Sequence, residues 1–489
     1  MARHVLQGEL PVFLWGQHYK GVPEVYLAAA VFSVAGPGVV ALKAATLACF
    51  VVFVCLQFLL IDAMFSSRIA WMSTAFLIAG PPALVLWSLS ANAEIVLTLL
   101  AGTVLMLARV RWEKARGRGA VAVGAAAVGF GLWVHQYILY YVVALTVCVL
   151  ATSPRARGWW RALIAGHGQP TWIRTVTSLI FVIGLVYIAV GAIAFVTGGF
   201  EFAPAGVLVS LRSPQKLWRL GGTLMAFFVA LRVAAQITQP DRQRQRAAVL
   251  SGVIGFLAGY APAVLDIIRS GVHVPLARMD LRGFVDASPT MAGAIVPMVI
   301  GFRSPTTEWL PVSRWFGLVL APVILAAFVA LRSRRISPFF HILLVVVPVF
   351  FVVSGSFVDA QSYRYLMPVL ASLSVLLAVG IDEISRWSRP GALGALGALI
   401  LMFGLQQRAW YERLEPDARS PAILECMARH DVRGARADYW LSYKVTFLSK
   451  ETRIVAPFNG VDRYPPYTAF VASLDASEGD GACRSLLLQ

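Results

Sequence analysis

The side chains that could do chemistry are concentrated in four short polar and aromatic clusters. These are WGQHYKGVPE at 15–24, SANAE at 90–94, WVHQY at 133–137 and SFVDAQSYRYLMP at 356–368. Together they supply carboxylates, which can accept a proton, and cations, which can hold a departing anionic group. We therefore predict one shared binding site, built from Gln17, His18, Tyr19, Lys20, Glu24, Glu94, His135, Gln136, Arg364 and Tyr365.

The composition of the chain indicates where these clusters lie. Hydrophobic residues make up 58% of 489 residues and charged residues only 14%, a balance typical of an integral membrane protein. The net charge is +17, yet residues 407–489 hold 11 Lys and Arg against 11 Asp and Glu. The positive excess therefore lies in the hydrophobic part, where it orients the chain in the membrane. We expect no nucleic-acid partner.

Twelve apolar segments of roughly 16–23 residues have about the length needed to cross a bilayer. They are 39–61, 69–88, 92–108, 119–134, 137–152, 176–197, 222–237, 248–264, 315–331, 338–355, 365–381 and 391–406. One alternating set of connecting loops carries 18 Lys and Arg in 65 residues, and the other carries 9 in 88. Because basic loops stay in the cytoplasm, residues 1–38, the loop 265–314 and the tail 407–489 are predicted to lie outside it.

The predicted domains follow from this orientation. Residues 1–38 form a first outer loop with a surface helix, 39–406 form the transmembrane domain, and 407–489 form a small α/β domain. The leader 1–38 contains no hydrophobic segment that would carry it across the membrane. We therefore expect a further span before Met1, which gives thirteen spans and a cytoplasmic N-terminus.

All four polar clusters fall at outward helix ends or loops in this topology. Each alone fits a simpler interpretation: WVHQY can be an interfacial aromatic belt, and Arg364 can extend to the interface. Lys20 and His18 can contact lipid head groups, and Glu24 can stabilise a helix N-terminus. Four clusters on one side and none on the other nevertheless favour a shared polar cavity open to the exterior.

A sugar carried on a polyprenyl phosphate suits such a cavity, because its head group reaches the interface while its tail stays in lipid. Arg364 could hold the departing phosphate, with Lys20 and His18 adding charge or hydrogen bonds. Glu24 could orient an acceptor. The sequence contains no GxxxxGK[ST], no HExxH and no Cys/His metal spacing. We expect no metal site among these residues; a divalent cation stays open as a cofactor.

The leader ARHVLQGELPVFLWGQHYKGVPEVYLAAAVFSVAG resembles the first outer loop of bacterial GT-C membrane glycosyltransferases. The similar branch includes protein O-mannosyltransferases and lipid A aminoarabinose transferase. FGLWVHQYILYYV at 130–142 resembles the outward helical hairpin of that family, and SYRYLMPVLASLSVLL at 362–377 resembles its late span. ARADYWLSYKVTFLSKETRIVAP at 435–457 is similar to the outer C-terminal module of many members.

The resemblance implies an inverting transfer in the bacterial cytoplasmic membrane, from a polyprenyl-phosphate sugar to a glycan, lipid or protein acceptor of the cell envelope. It also implies that the catalytic base is the aspartate of an Asp-Glu pair, which would precede Met1. Where relatives carry Tyr-x-Lys-Pro-Pro, this chain reads HYKGVPE, so the roles of Lys20 and Glu24 stay open. A lipid or glycan transporter or flippase, or a truncated inactive homologue, are the alternatives.

Two outward segments add further expectations. In the tail, a bond between Cys426 and Cys483 is compatible with an oxidising location, and Tyr439, Trp440 and Tyr443 could stack on a sugar or pack in a core. The loop 265–314 is expected to cover the cavity or admit the acceptor. Arg278 and Arg282 are weaker candidates for phosphate contacts.

Overall fold

The fold is that of a computed structural model of the chain. It describes residues 1–92, 94–115, 117–165, 170–197, 201–202, 209–210, 214–237, 243–270, 289–306, 308–311, 313–332, 337–353, 360–474, Cys483 and Leu487. The elements below belong to these residues.

The leader forms a small compact motif before the long helices begin. Its elements are α1 (Ala2–Leu6), β1 (Phe13–Leu14), β2 (Gln17–Gly21) and α2 (Pro23–Ala35). The two strands pair antiparallel, and Gly16 turns between them with φ +68°, a conformation that glycine adopts without strain. Pro23 occupies the first turn of α2, where its missing N–H costs no hydrogen bond.

Helices account for most of the remaining described chain. The first group is α3 (Val39–Met64), α4 (Ser67–Ile78), α5 (Pro82–Leu89), α6 (Glu94–Ala115), α7 (Arg118–Val134), α8 (Ile138–Thr152), α9 (Pro154–Ala165), α10 (Thr171–Thr197), α11 (Pro214–Ile237) and α12 (Gln243–Ser270). A short strand pair, β3 (Glu201–Phe202) and β4 (Val209–Ser210), lies between α10 and α11.

The second group begins with a π-helical turn, Met291–Ile295, that continues as α13 (Val296–Ile300). It then contains α14 (Ser313–Arg332), α15 (Pro338–Val353), the 3₁₀ segment Ala360–Leu366, α16 (Met367–Trp387) and α17 (Arg389–Tyr411). The C-terminal unit contains α18 (Arg419–Arg429), β5 (Gly434–Ala437), α19 (Tyr439–Leu448), β6 (Ile454–Pro457) and α20 (Pro465–Ser473).

Each predicted apolar segment coincides with a helix, except that 69–88 is divided into α4 and α5, which meet at 78°. The division follows from Gly80-Pro81-Pro82, because proline lacks the N–H that a continuing helix needs and disfavours helix at the residue before it. Within the described residues, six helices are long and apolar enough to span a bilayer, or eight if each of two bent pairs is one span. The chain is a multi-pass membrane protein; the total of twelve stays a prediction.

The core of the bundle is formed by apolar side chains from α3, α6, α14 and α16. Phe53, Leu99, Phe316 and Val375 are at most 1% exposed and belong to one continuous cluster. The described end of the loop 265–314 joins this core, since Ile295 in the π-helical turn is fully buried. The Arg278 and Arg282 candidates lie outside the described residues, and the expectation that this loop covers the cavity stays a prediction.

The C-terminal unit has its own small core. The strands β5 and β6 pair in parallel through α19, whose first turn is capped by the Asp438 carboxylate accepting from the backbone N–H groups of Trp440 and Leu441. Cys426 and Cys483 form a disulfide. The sequence alone did not decide whether this bond forms, and the structure contains it.

Helices α7 and α12 approach one another at glycines. A Cβ atom at Gly255 would overlap the carbonyl oxygen of Ala122, and one at Gly259 would overlap the carbonyl oxygen of Ala126. Small residues let helix backbones approach closely where lipid supplies no hydrophobic driving force. This close packing connects α12 to the helix that ends beside the predicted site.

Gly259→Ala is expected to destabilise the chain by about 1–3 kcal/mol, because the added methyl group has no room between the two backbones. Thermal unfolding in detergent measures the loss. Gly252→Ala is the matched control, since its Cβ would lie 3.4 Å from Val121, an ordinary contact. Equal losses from the two substitutions would contradict close packing at Gly259.

Candidate functional site

The leader is seated on the turn between α7 and α8. The indole N–H of Trp133 donates to the carbonyl oxygen of Val12 at 3.1 Å, and the Gly21 backbone lies against Trp133. A Cβ at Gly21 would stand 2.5 Å from the carbonyl oxygen of Trp133, so only glycine fits there. This contact places β2 over the WVHQY turn and brings two predicted clusters together.

Lys20 and Glu94 form a buried ion pair at the centre of the site. The ammonium Nζ donates to the carboxylate Oε1 at 2.7 Å, and the two residues are 8% and 3% exposed. Lys20 is the penultimate residue of the strand β2, and Glu94 is the first residue of α6. The pair joins the leader to the helix bundle.

Glu24 lies in the first turn of α2 and is 5% exposed. The hydroxyl of Thr46 on α3 donates a hydrogen bond to its carboxylate. The helix N-terminus stabilises a negative charge there. Glu24 is thus a second buried carboxylate near the Lys20–Glu94 pair.

His135 occupies the turn between α7 and α8 and is 2% exposed. Its ring stacks on Tyr137 with centroids 3.9 Å apart, and the rings of Tyr19 and Tyr365 lie 5.9 and 6.2 Å away. Burial lowers the pKa of His135 to about 4. Its Nδ1 accepts from the backbone N–H of Tyr137 at 3.4 Å, which also requires the neutral imidazole.

Arg364 reaches the same aromatic group from the 3₁₀ segment before α16. Its Nη2 donates to the Tyr365 hydroxyl at 2.9 Å, and its guanidinium lies 4.5 Å from the centroid of that ring and 5.9 Å from that of Trp87. These contacts with two aromatic rings hold the guanidinium beside the aromatic cluster.

Arg463 is a further cation that the sequence did not indicate. It follows β6 in the C-terminal unit, and its guanidinium lies 5.1 Å from the Tyr439 ring centroid. Burial and the Glu94 carboxylate raise the pKa of Tyr19, while the charges of Arg463 and Arg364 oppose that shift. Lys20 thus pairs with Glu94, and Arg364 and Arg463 carry positive charge near Tyr19.

A cavity of about 240 Å³ opens beside the ion pair. Lys20, Glu24 and Glu94 form its polar wall, and Phe447 and Glu451 of the C-terminal unit form another part of the lining. The rest comes from the first three residues of the chain, from the strands and α2 of the leader, from Leu42 of α3, and from Ala91 and Asn92 before α6. The cavity thus combines buried carboxylates with an apolar wall.

The C-terminal unit is fastened to the leader by a polar and aromatic contact. His4 Nδ1 lies 2.7 Å from Glu9 Oε1, and His4 Nε2 lies 3.4 Å from Glu451 Oε1. The ring of Trp15 stacks on Tyr464 with centroids 4.0 Å apart. This contact holds the C-terminal unit against the leader, and Phe447 and Glu451 of that unit contribute to the cavity lining.

Of the ten predicted site residues, the structure groups Lys20, Glu24 and Glu94 at the cavity, and Tyr19, His135, Arg364 and Tyr365 on the adjoining aromatic side. Gln136 is half-buried in the turn next to His135. Gln17 is half-buried in β2, whereas His18 is exposed. Within the described part of the chain, no group of three or more His, Cys, Asp or Glu side chains is arranged to hold a metal ion.

The overall structure is similar to a bacterial transferase of known fold. ArnT from Cupriavidus metallidurans, in its structure bound to undecaprenyl phosphate, matches with a TM-score of 0.52 at 12% identity, covering 99% of this chain and 84% of ArnT. This chain has the ArnT fold. ArnT is a GT-C glycosyltransferase, and the GT-C resemblance of the sequence is confirmed at the level of the fold.

A second similar structure is more distant than ArnT. The oligosaccharyltransferase AglB from Archaeoglobus fulgidus, in complex with an inhibitory peptide and a dolichol-phosphate, matches with a TM-score of 0.45 at 14% identity. The match covers 98% of this chain and 62% of AglB. No family model matches the sequence, and no curated protein matches it.

Lys20→Met is expected to destabilise the chain by about 3–5 kcal/mol, because it leaves the buried Glu94 carboxylate without this partner. The double variant Lys20→Met/Glu94→Gln should lose less than the sum of the two single variants. Thermal unfolding in detergent checks both values. The exposed pair Arg408–Glu412 is the control: Arg408→Met should leave the stability almost unchanged. Additivity of the two buried substitutions would show that Lys20 and Glu94 do not act as a pair.

Acidification is expected to weaken folding through His135. Between about pH 6.5 and 4 the unfolded chain protonates this histidine while the folded chain keeps it neutral, so stability falls as the pH drops through this window. From pH 6.5 to 5 the loss is about 2 kcal/mol. The stability difference between pH 7.5 and 5.0 should therefore be smaller in His135→Asn than in the wild type. Equal acid sensitivity of the two proteins would show that His135 does not cause the loss of stability.

Proposed function

We propose that this chain is an inverting membrane glycosyltransferase that moves a sugar from a polyprenyl-phosphate donor to a cell-envelope acceptor, on the outer face of the bacterial cytoplasmic membrane. The observation that carries the proposal is a cavity with an apolar wall, with the cation Lys20 in its polar wall and the cation Arg364 on the adjoining aromatic side. A phosphate joined to a long apolar tail needs both kinds of surface.

The similar ArnT structure supports the choice of donor, since it was solved with undecaprenyl phosphate bound. In the proposed reaction an acceptor hydroxyl attacks the anomeric carbon, a carboxylate takes its proton, and the polyprenyl phosphate leaves with the electron pair of the broken C–O bond. Cations placed where charge develops stabilise that step. Arg364 would hold the phosphate, and Lys20 would orient Glu94 beside it.

The base in this proposal is a carboxylate at the cavity. Glu24 lines the cavity and would orient the acceptor hydroxyl. An inactive homologue is the alternative, and it would carry out no transfer.

Binding of undecaprenyl phosphate to the purified full chain in nanodiscs tests the donor assignment. Arg364→Gln is expected to weaken that binding by about 10- to 100-fold, because a charge-assisted hydrogen bond to the phosphate is lost. Arg408→Gln, an exposed arginine outside the site, should bind like the wild type. Failure of the wild type to bind, or equal binding by Arg364→Gln, would refute the assignment.

Transfer is tested separately by incubating the full chain in nanodiscs with labelled polyprenyl-phosphate sugars and envelope extracts. Release of undecaprenyl phosphate together with a labelled acceptor is the expected result. Movement of intact lipid-linked sugar between bilayer leaflets without such release would instead favour the flippase alternative.

A further inference from the structure

A second cleft of about 200 Å³ adjoins the cavity on the side of the C-terminal unit. Its walls include Trp15, Tyr443, Phe447, Glu451, Arg463 and Tyr467. Phe447 and Glu451 also line the first cavity, so the two spaces share a wall. A ligand group in the cleft would therefore lie next to a ligand group in the cavity.

The size of the cleft limits what it can hold. Pockets for drug-sized ligands measure roughly 300–1,000 Å³, so this cleft accommodates about one ring-sized group. Aromatic side chains from the leader, α19 and α20 supply flat apolar surfaces. Trp440, the neighbouring aromatic residue of α19, is 77% exposed and does not line the cleft. The sequence left open whether this aromatic group stacks on a sugar or packs in a core. The exposure of Trp440 argues against core packing for that residue.

The charges in the cleft wall are balanced. Arg463 contributes a guanidinium whose Nε is buried and donates no hydrogen bond to any residue that the structure describes. Glu451 contributes a carboxylate, held by Arg3 at 3.6 Å and His4 at 3.4 Å. One donor group and one acceptor group near aromatic faces match a neutral ring bearing hydroxyls. A phosphate would be repelled by Glu451, and a lipid tail would leave both charged groups desolvated.

We infer that this cleft is an acceptor subsite that binds a neutral saccharide ring, with the ring face against Tyr443 and Tyr467 and its hydroxyls on Arg463 and Glu451. The inference rests on the proposed glycosyl transfer, because the shared wall would place an acceptor sugar beside the donor phosphate. It names a glycan, rather than a peptide, as the acceptor class. The C-terminal unit then selects the acceptor while the helices hold the donor.

The test measures binding of methyl α-D-glucopyranoside, methyl α-D-mannopyranoside and methyl α-D-galactopyranoside to the full chain in nanodiscs, by saturation-transfer NMR titration. At least one should bind the wild type. Tyr443→Leu should weaken that binding by about fivefold through loss of the aromatic face. Tyr443→Phe keeps the ring and should bind the glycoside nearly as tightly as the wild type. Trp440→Leu is the matched control on the same helix and should bind the glycoside like the wild type.

Undecaprenyl phosphate binding is measured on the same samples, and Tyr443→Leu should not change it. If undecaprenyl phosphate binds the wild type but no glycoside does, the subsite is refuted while the donor assignment stands. If the glycosides bind as inferred but undecaprenyl phosphate does not, the proposed donor is wrong and the saccharide site remains. Equal loss in Trp440→Leu and Tyr443→Leu, or displacement of the glycosides by a serine-threonine hexapeptide, would also overturn the inference.

Discussion

The ion pair between Lys20 and Glu94 is the interaction on which the candidate site depends. Removing both charges from water costs several kcal/mol per ion, and only close geometry offsets that cost. The pair forms at 2.7 Å because the Gly21 backbone lies directly on Trp133 and lets β2 approach the start of α6. A leader displaced from this seat would leave Glu94 as an unpaired carboxylate inside the bundle, so one arrangement is strongly favoured.

Seating the leader also determines the other boundaries of the site. It brings Glu24 to Thr46 on α3, Tyr19 to His135 between α7 and α8, and the Trp15 ring to the C-terminal unit. Four segments distant in sequence thereby enclose one polar region beside an apolar cavity. The transmembrane helices alone provide only part of this wall, which explains why the polar residues are concentrated outside the apolar segments.

The sequence was sufficient for the parts of the molecule that follow from local composition. Apolar length located the helices, because a bilayer requires about 20 such residues regardless of their identity. Polar residues at segment ends pointed to Lys20, Glu24 and Glu94, which the structure brings together at one cavity, and their role in binding stays a prediction. Arg463 could not be found this way, since its approach to Tyr19 depends on how the C-terminal unit packs on a distant leader. The bend at Gly80 was missed although Gly80-Pro81-Pro82 signals it, because hydropathy averaged over a window ignores backbone N–H groups.

The similarity to ArnT at 12% identity has a physical explanation that also limits what it implies. Lipid-facing helices are selected for length, apolarity and small residues at contacts, as at Gly255 and Gly259, so many sequences satisfy one fold. Substrate choice is subject to different constraints, because a fold hosts many chemistries and the site decides among them. In this chain, Glu94 apart, the charged and aromatic side chains that line the two cavities lie in the leader and the C-terminal unit. Under the proposed function, acceptors would therefore be discriminated where those two segments meet, at the wall that Phe447 and Glu451 give to both cavities.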